Sequence, residues 1–191
     1  MEGDYYKTKE TVKEYIRLAK DVDGGELINK LKEHLPSNTN VLEIGTGPGK
    51  DFLILKEFYT VIGSDNSTEF LRHLIDSNPQ EEFLELDAIS LKTDKKFDGI
   101  YSNKVLHHLK NEELMDSIKR QTEVLTSKGI ICHSFWNGEG SEVFKGLFVN
   151  YHSEMALKGF FDPYFEILLL ETYAEFEEAD SILLIGKKSK I

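Results

Sequence analysis

Cysteine is almost missing from this chain. Cys132 stands alone among 191 residues, so no internal disulfide can form, and a reducing, cytoplasmic setting is expected. Long apolar runs are missing too. None approaches the ~20 residues of a membrane span, so no membrane partner is expected. The opening Met1-Glu2-Gly3-Asp4-Tyr5-Tyr6 is polar and acidic, unlike a secretory signal. Positive charge is in deficit: 23 Lys and Arg face 34 Asp and Glu, a formal net charge of −11. A broad electrostatic grip on nucleic acid needs clustered Lys and Arg, so nucleic acid is not an expected partner. The pairs Lys95-Lys96 and Lys187-Lys188 are too short for a basic patch and read as solvated ends. No Cys/His spacing of zinc type occurs, and no metal is expected. Repeats, low-complexity tracts and linkers are also absent. What remains reads as one domain, 1–191, large enough for a real core.

Glycine, by contrast, is concentrated where it carries meaning. Val41-Leu42-Glu43-Ile44-Gly45-Thr46-Gly47-Pro48-Gly49 reads as an apolar strand, a tight turn, and a helix beginning near Lys50. Glycines at alternate positions let the backbone curl and let a ligand lie against it with no Cβ in the way. The amides of such a turn and of the next helix suit a polar or anionic ligand. Asp65 follows at the end of the next predicted strand, Thr60-Val61-Ile62-Gly63-Ser64, where a carboxylate can accept both hydroxyls of a ribose. Nucleotide-like binding follows. The spacing narrows the choice. A dinucleotide fingerprint wants G-x-G-x-x-G, but Lys50 holds its last position. A Walker loop wants glycine where Ile44 stands and Ser or Thr where Asp51 stands.

What remains, Glu43-x-Gly45-x-Gly47-x-Gly49, resembles the first motif of the class I S-adenosylmethionine-dependent methyltransferases. Three further strand ends follow in that family's order: Asp65-Asn66, then Phe83-Leu84-Glu85-Leu86-Asp87-Ala88, then Phe97-Asp98-Gly99-Ile100-Tyr101-Ser102-Asn103 with Val105-Leu106-His107-His108-Leu109 after it. The resemblance covers about residues 38 to 136. It implies S-adenosylmethionine as cofactor and S-adenosylhomocysteine as product. It implies contacts from Glu43, Gly45, Thr46, Gly47 and Gly49 in the turn, the ribose acid Asp65 with Asn66, Asp87 and the Ala88 amide at the adenine, and Asn103.

Periodicity supplies the remaining frame. Residues 8–22 place Val12, Ile16 and Ala19 on one helical face beside Tyr15; residues 25–35 do so with Leu27, Ile28, Leu31 and Leu35, until Pro36 stops the helix. Phe52, Leu55, Lys56 and Tyr59 suggest a short helix. Ser67 reads as an N-cap ahead of Phe70, Leu71, Leu74 and Ile75. Asn111 reads as the cap of a helix carrying Leu114, Ile118 and Leu125, and Gly129–Phe135 as a fifth strand. Strands alternating with helices imply parallel, right-handed crossovers and an open α/β sheet covered on both faces. Residues 165–170 and 181–185 are apolar strands with no room for a helix between, so a hairpin is expected. The resemblance implies a Rossmann-like, doubly wound, mostly parallel seven-stranded sheet with an antiparallel C-terminal strand. Residues 1–37 then cover the site, 38–136 hold the cofactor, and 137–191 supply a substrate-side segment and the hairpin.

Methyl transfer from a sulfonium asks for in-line orientation and exclusion of water. A general base helps only if the acceptor carries a proton. His107 and His108 are the nearest candidates, and adjacent side chains point differently, so at most one faces a ligand; both also read as packing residues. Asn103 is the stronger candidate for a polar group facing the site. His133 and Cys132 read as core. The Asp/Asn-Pro-Pro-aromatic motif of base-modifying amino-methyltransferases is absent at Ser102-Asn103-Lys104-Val105, and Ser102 and Trp136-Asn137 lack the acids of magnesium-dependent O-methyltransferases. Tyr5, Tyr6 and Tyr15 are available as walls. The glycine-rich segment 136–141 reads as movable, and Phe144, Phe148, Tyr151, Phe160 and Phe161 read mainly as core. With no inserted domain, a small-molecule acceptor is favoured. Methylation of a protein or RNA, and a non-catalytic binding module, are the alternatives. Oligomeric state is not legible.

Overall fold

Short apolar runs separated by amphipathic helices build one central sheet. A computed structural model gives the structure of the protein and describes residues 6, 8–18 and 22–189. Its strands are β1 (Asn40–Ile44), β2 (Thr60–Asp65), β3 (Phe83–Glu85), β4 (Phe97–Asn103), β5 (Leu125–Trp136), β6 (Ser141–Phe144), β7 (Leu147–Asn150), β8 (Phe165–Tyr173) and β9 (Ser181–Lys188). The helices are α1 (Lys9–Leu18), α2 (Gly25–Lys32), α3 (Lys50–Leu55), α4 (Thr68–Ser77), α5 (Asn111–Val124) and α6 (Glu154–Phe161), with a one-turn 3-10 helix at Leu106–His108. Seven strands form one sheet in the order β3-β2-β1-β4-β5-β9-β8, and β6 and β7 form a separate ribbon. β1 through β5 pair parallel, and β9 lies antiparallel to both β5 and β8. The expected seven-stranded, mostly parallel sheet with an antiparallel C-terminal strand is therefore present.

Both faces are covered, for the reason the period-2 pattern gives. Leu42, Ile100 and Ile131 pack with α5 and α6 through Leu114, Ile118, Leu157 and Phe161. Their strand neighbours Val41, Tyr101 and Cys132 face the other way, into Ile28, Leu31, Phe52 and Leu55 of α2 and α3. Strand order reverses between β1 and β4. The chain leaves those two strands toward opposite faces, which opens a crevice at their C-terminal ends.

Several local expectations are corrected. α1 is shorter than residues 8–22, and Ala19, like Tyr5, lies outside the described residues. α2 ends at Lys32, although Leu35 beyond it stays buried. Asn111 does not cap α5. Lys110 precedes the helix with extended backbone, and its amide donates to Glu113 Oε2 at 2.8 Å. Leu125 already begins β5, so it is a strand residue, not a helical one. β3 stops at Glu85 because the Asp87 carboxylate turns the chain, accepting the amides of Ile89 at 3.0 Å and Ser90 at 2.9 Å. Lys95 and Lys96 are exposed as expected, whereas Lys188 is half-buried and its Nζ donates to the Leu125 carbonyl. The ribbon was not foreseen. Lys145 (φ 51°) and Gly146 (φ 79°) form a two-residue turn with both residues left-handed, the geometry that matches strand twist.

Candidate cofactor and acceptor site

A cavity of about 510 Å³ lies over the C-terminal ends of β1, β2 and β4. The turn after β1 forms its floor. Gly45, Gly47 and Gly49 all have positive φ, at 68°, 49° and 85°, but each is needed for its own reason. A Cβ on Gly45 would meet Val105 Cγ2 at 2.5 Å, and one on Gly49 would meet Leu74 Cδ2 at 2.8 Å. A Cβ on Gly47 would find only the Gly45 carbonyl, at 3.9 Å. Of the three, only Gly47 therefore leaves open space for a ligand where its side chain would be. Thr46 is pinned to β2: its amide donates to the Ser64 carbonyl at 2.8 Å, and its Oγ1 accepts the Ser64 amide at 2.9 Å.

Asp65, at the end of β2, spans two amides. Oδ2 accepts from Gly47 at 2.9 Å and Oδ1 from Ser67 at 2.8 Å. Burial pushes its carboxyl up, against the pull of those backbone donors. Ser67 also caps α4 as expected, accepting the Phe70 amide at 3.3 Å. Asn66, Asp87 and Ala88 line the same cavity. Glu43 lines it from beneath. It is 3 % exposed, and its Oε2 has no hydrogen-bond partner among the described residues. Burial, then the nearby Asp51 and Asp65 charges, hold its carboxyl well above the usual range, while a Thr46 hydrogen bond pulls it down.

Asp51 went unread in the sequence except as a failed Walker position, yet it is a hub. Its Oδ1 accepts the Gly24 amide at 2.6 Å; its Oδ2 accepts the Tyr101 hydroxyl at 2.6 Å and Asn103 Nδ2 at 3.1 Å. Asn103 lines the cavity, but both ends of its amide are already engaged, since Oδ1 accepts the Ser134 hydroxyl at 2.5 Å. Its side chain is thus a link between β4, α3 and β5 as well as a wall. Lys104, also unread, takes a left-handed backbone (φ 53°). Its Nζ donates to Ser181 Oγ at 2.6 Å, pairs with Glu175 Oε2 at 3.0 Å and sits 3.8 Å over the Trp136 ring. Burial lowers its pKa against the pull of Glu175.

The two histidines divide as adjacent residues should. His107 is 3 % exposed, stays out of the cavity wall, and its Nδ1 has no hydrogen-bond partner among the described residues. Burial, then His108, Lys104 and His152, push its pKa well down. His108 lines the cavity, and its Nδ1 lies 2.7 Å from the Phe148 carbonyl of β7. His133 and Cys132 are fully buried; His133 sits between Ser102 Oγ and Gln121 Oε1, each at 2.8 Å. Tyr6 and Tyr15 line the mouth with Phe70, their ring centroids 5.3 to 5.8 Å apart. Of the later aromatics, Phe161 is core, Phe144 is exposed, and Phe148 lines the cavity. Acids outnumber bases around the wall, with Asp23, Glu43, Asp51, Asp65, Asp87, Glu113 and Glu175 against Lys50, Lys104 and Lys110, a field that favours cationic ligands.

Residues 41–129 match the family model described as methyltransferase domain. An uncharacterized methyltransferase from Staphylococcus carnosus is 27 % identical over 108 residues, 56 % of this chain. The chain spans about half (51 %) of that curated relative's length. The fold resembles that of 1,6-didemethyltoxoflavin-N1-methyltransferase from Burkholderia thailandensis, solved with 1,6-didemethyltoxoflavin and S-adenosylhomocysteine. The TM-score is 0.80 at 17 % identity, over 95 % of this chain and 85 % of that one. N-methyltransferase NodS from Bradyrhizobium japonicum, solved with S-adenosyl-l-homocysteine, gives a TM-score of 0.69 at 13 % identity, over 86 % of this chain and 85 % of that one. At these identities the likeness to both structures is one of fold.

Proposed function

We propose that the chain, whose residues 41–129 match a methyltransferase domain, is a class I S-adenosylmethionine-dependent methyltransferase that binds S-adenosylmethionine in the cavity over β1, β2 and β4 and transfers the methyl group to a small-molecule acceptor. One observation carries this reading: the Gly47 turn, the Asp65 carboxylate and the unmet Glu43 Oε2 all face one acidic cavity. The donor set fits the cofactor. Asp65 and Asn66 would hold the ribose, Asp87 and the Ala88 amide the adenine, and the open face of Gly47 the methionine portion. Glu43 would meet the α-ammonium, since a buried carboxylate oxygen without a donor is costly until a cation or donor reaches it. The cofactor, once bound, supplies a methyl group already activated on sulfur, with a neutral thioether to leave.

The protein's own task is then to orient and to exclude water, effects worth up to ~7–11 kcal/mol in ideal cases. A small acceptor is favoured by the cavity's size, about 510 Å³, within the usual range for small-molecule sites. Tyr6, Tyr15 and Phe148 further enclose it. The Burkholderia neighbour, which holds the small molecule 1,6-didemethyltoxoflavin, supports the same choice. Calorimetry should show S-adenosylhomocysteine binding and no comparable heat with NAD or ATP. A screen with methyl-labelled cofactor should then deposit label in a metabolite pool. Tight NAD binding without a response to S-adenosylhomocysteine overturns the cofactor; label confined to protein or RNA overturns the acceptor.

A further inference from the structure

The hydrogen bond between His108 and Phe148 fixes which nitrogen of the imidazole is free. A carbonyl can only accept, so at 2.7 Å from the Phe148 oxygen, Nδ1 must carry the proton. Nε2 is then the bare, basic nitrogen, and among the described residues it makes no hydrogen bond, on a ring that lines the cavity. Resting on the methyl-transfer reading above, we propose that His108 Nε2 is the general base of the reaction and that the acceptor is a flat aromatic ring bearing a weakly acidic N–H or O–H.

Burial lowers the His108 pKa and the Phe148 bond raises it, with burial the larger. The imidazole is therefore neutral at pH 7 and able to take a proton. A base of that strength matches an acidic ring N–H or an electron-poor phenol better than an alkylammonium or an ordinary phenol, both of which ionise near ~10. The acid-lined cavity points the same way, because it holds an alkyl amine as the ammonium, which has no lone pair to attack with. The ring requirement comes from the walls. Tyr6, Tyr15, Phe70 and Phe148 line the cavity beside His108, and aromatic walls accept a planar guest in offset or edge-on contact. In the step, the acceptor's lone pair forms a bond to the methyl carbon as the methyl–sulfur bond breaks and its electron pair stays on sulfur. The acceptor's proton passes to Nε2. The products are a methylated neutral acceptor, a neutral thioether and an imidazolium, so charge balances.

Three measurements on the full chain test this. In nitrogen-15 spectra of histidine-labelled protein with S-adenosylhomocysteine, His108 should be the neutral Nδ1–H tautomer at pH 7; an Nε2–H tautomer or an imidazolium overturns the proposal. His108→Gln should keep the melting temperature and bind S-adenosylhomocysteine within twofold of wild type. If wild type itself fails to bind, the cofactor reading fails, not the base. With labelled S-adenosylmethionine, wild type should methylate members of a panel of planar phenols and N–H heterocycles, 4-nitrophenol and xanthine among them, and leave benzylamine and cadaverine untouched. His108→Gln should lose about 10²–10⁴-fold in kcat. Preference for the amines, undiminished turnover in His108→Gln, or no transfer to either set by a protein that binds S-adenosylhomocysteine overturns it.

Discussion

Asp65 Oδ2 accepts the Gly47 amide at 2.9 Å, so the acid at the end of β2 also shapes the turn after β1. The sequence suggested only a ribose contact for this carboxylate. The structure gives it a second task, because the Gly47 amide would otherwise be buried without an acceptor. Asp65→Asn exchanges one carboxylate oxygen for a donor, so it cannot satisfy Gly47 and Ser67 together. S-adenosylhomocysteine binding should weaken by about 1.5–3 kcal/mol, the range for hydrogen bonds to a charged group. Because the Gly47 turn moves with it, adenosine and methionine should both bind more weakly. Calorimetry with each fragment checks this, and unchanged methionine affinity would confine Asp65 to the ribose.

The glycines of the turn should respond differently to added side chains. Gly47→Val should abolish S-adenosylhomocysteine binding while circular dichroism stays native-like, with a left-handed backbone penalty of about 1–2 kcal/mol. Gly45→Ala should destabilise the fold more, because its Cβ would lie 2.5 Å from Val105 Cγ2 and 2.7 Å from Cγ1. Adding Val105→Ala removes both of those atoms and should recover part of the lost melting temperature. Thermal melts of the single and double variants decide it; no recovery in the double variant would place the strain in the backbone alone.

Glu43 should make the stability of the ligand-free protein depend on pH. In an unfolded chain this carboxyl ionises near ~4.3. In the fold, burial and then Asp51 and Asp65, against the Thr46 hydrogen bond, keep its proton on to a higher pH. Between those two values the native state binds more protons than the unfolded state, so this residue's contribution falls as pH rises. Glu43→Gln removes that dependence. The variant's melting temperature should gain on wild type as pH increases from about 4.5 to 7. S-adenosylhomocysteine should narrow the gap, because its ammonium stabilises the ionised wild-type carboxylate. Parallel melting curves across that range would show that Glu43 does not titrate there.

Strand and helix order was legible because it is written in short-range pattern. The apolar runs at residues 41–44 and 97–101, the Ser67 cap and the Gly45-Gly47-Gly49 spacing each act within a few residues, and each appears where the pattern puts it. Boundaries were less legible. Leu125 fits a helical face by spacing but pairs with Phe97 across β4 and β5, and a sheet partner outweighs local periodicity. The ribbon turn at Lys145-Gly146 left a signal, a two-residue Lys-Gly step between apolar residues, weaker than the usual Asn-Gly or Asp-Gly.

The sequence by itself determined the α/β class, the order of elements as far as β5, and the C-terminal ends of β1 to β4, at or just after which Gly47, Asp65, Asp87 and Asn103 stand, because backbone geometry and hydrophobic period are local properties. Only the tertiary structure decided what those positions touch. Asp51 gathers Gly24, Tyr101 and Asn103 from up to 52 residues away, Lys104 reaches Ser181 across 77, and His108 owes its tautomer to a carbonyl 40 residues on. Hydrogen bonds of that span depend on how the strand ends are brought together, and burial, which raises the pKa of Glu43 and lowers those of Lys104 and His108, exists only once the sheet is covered.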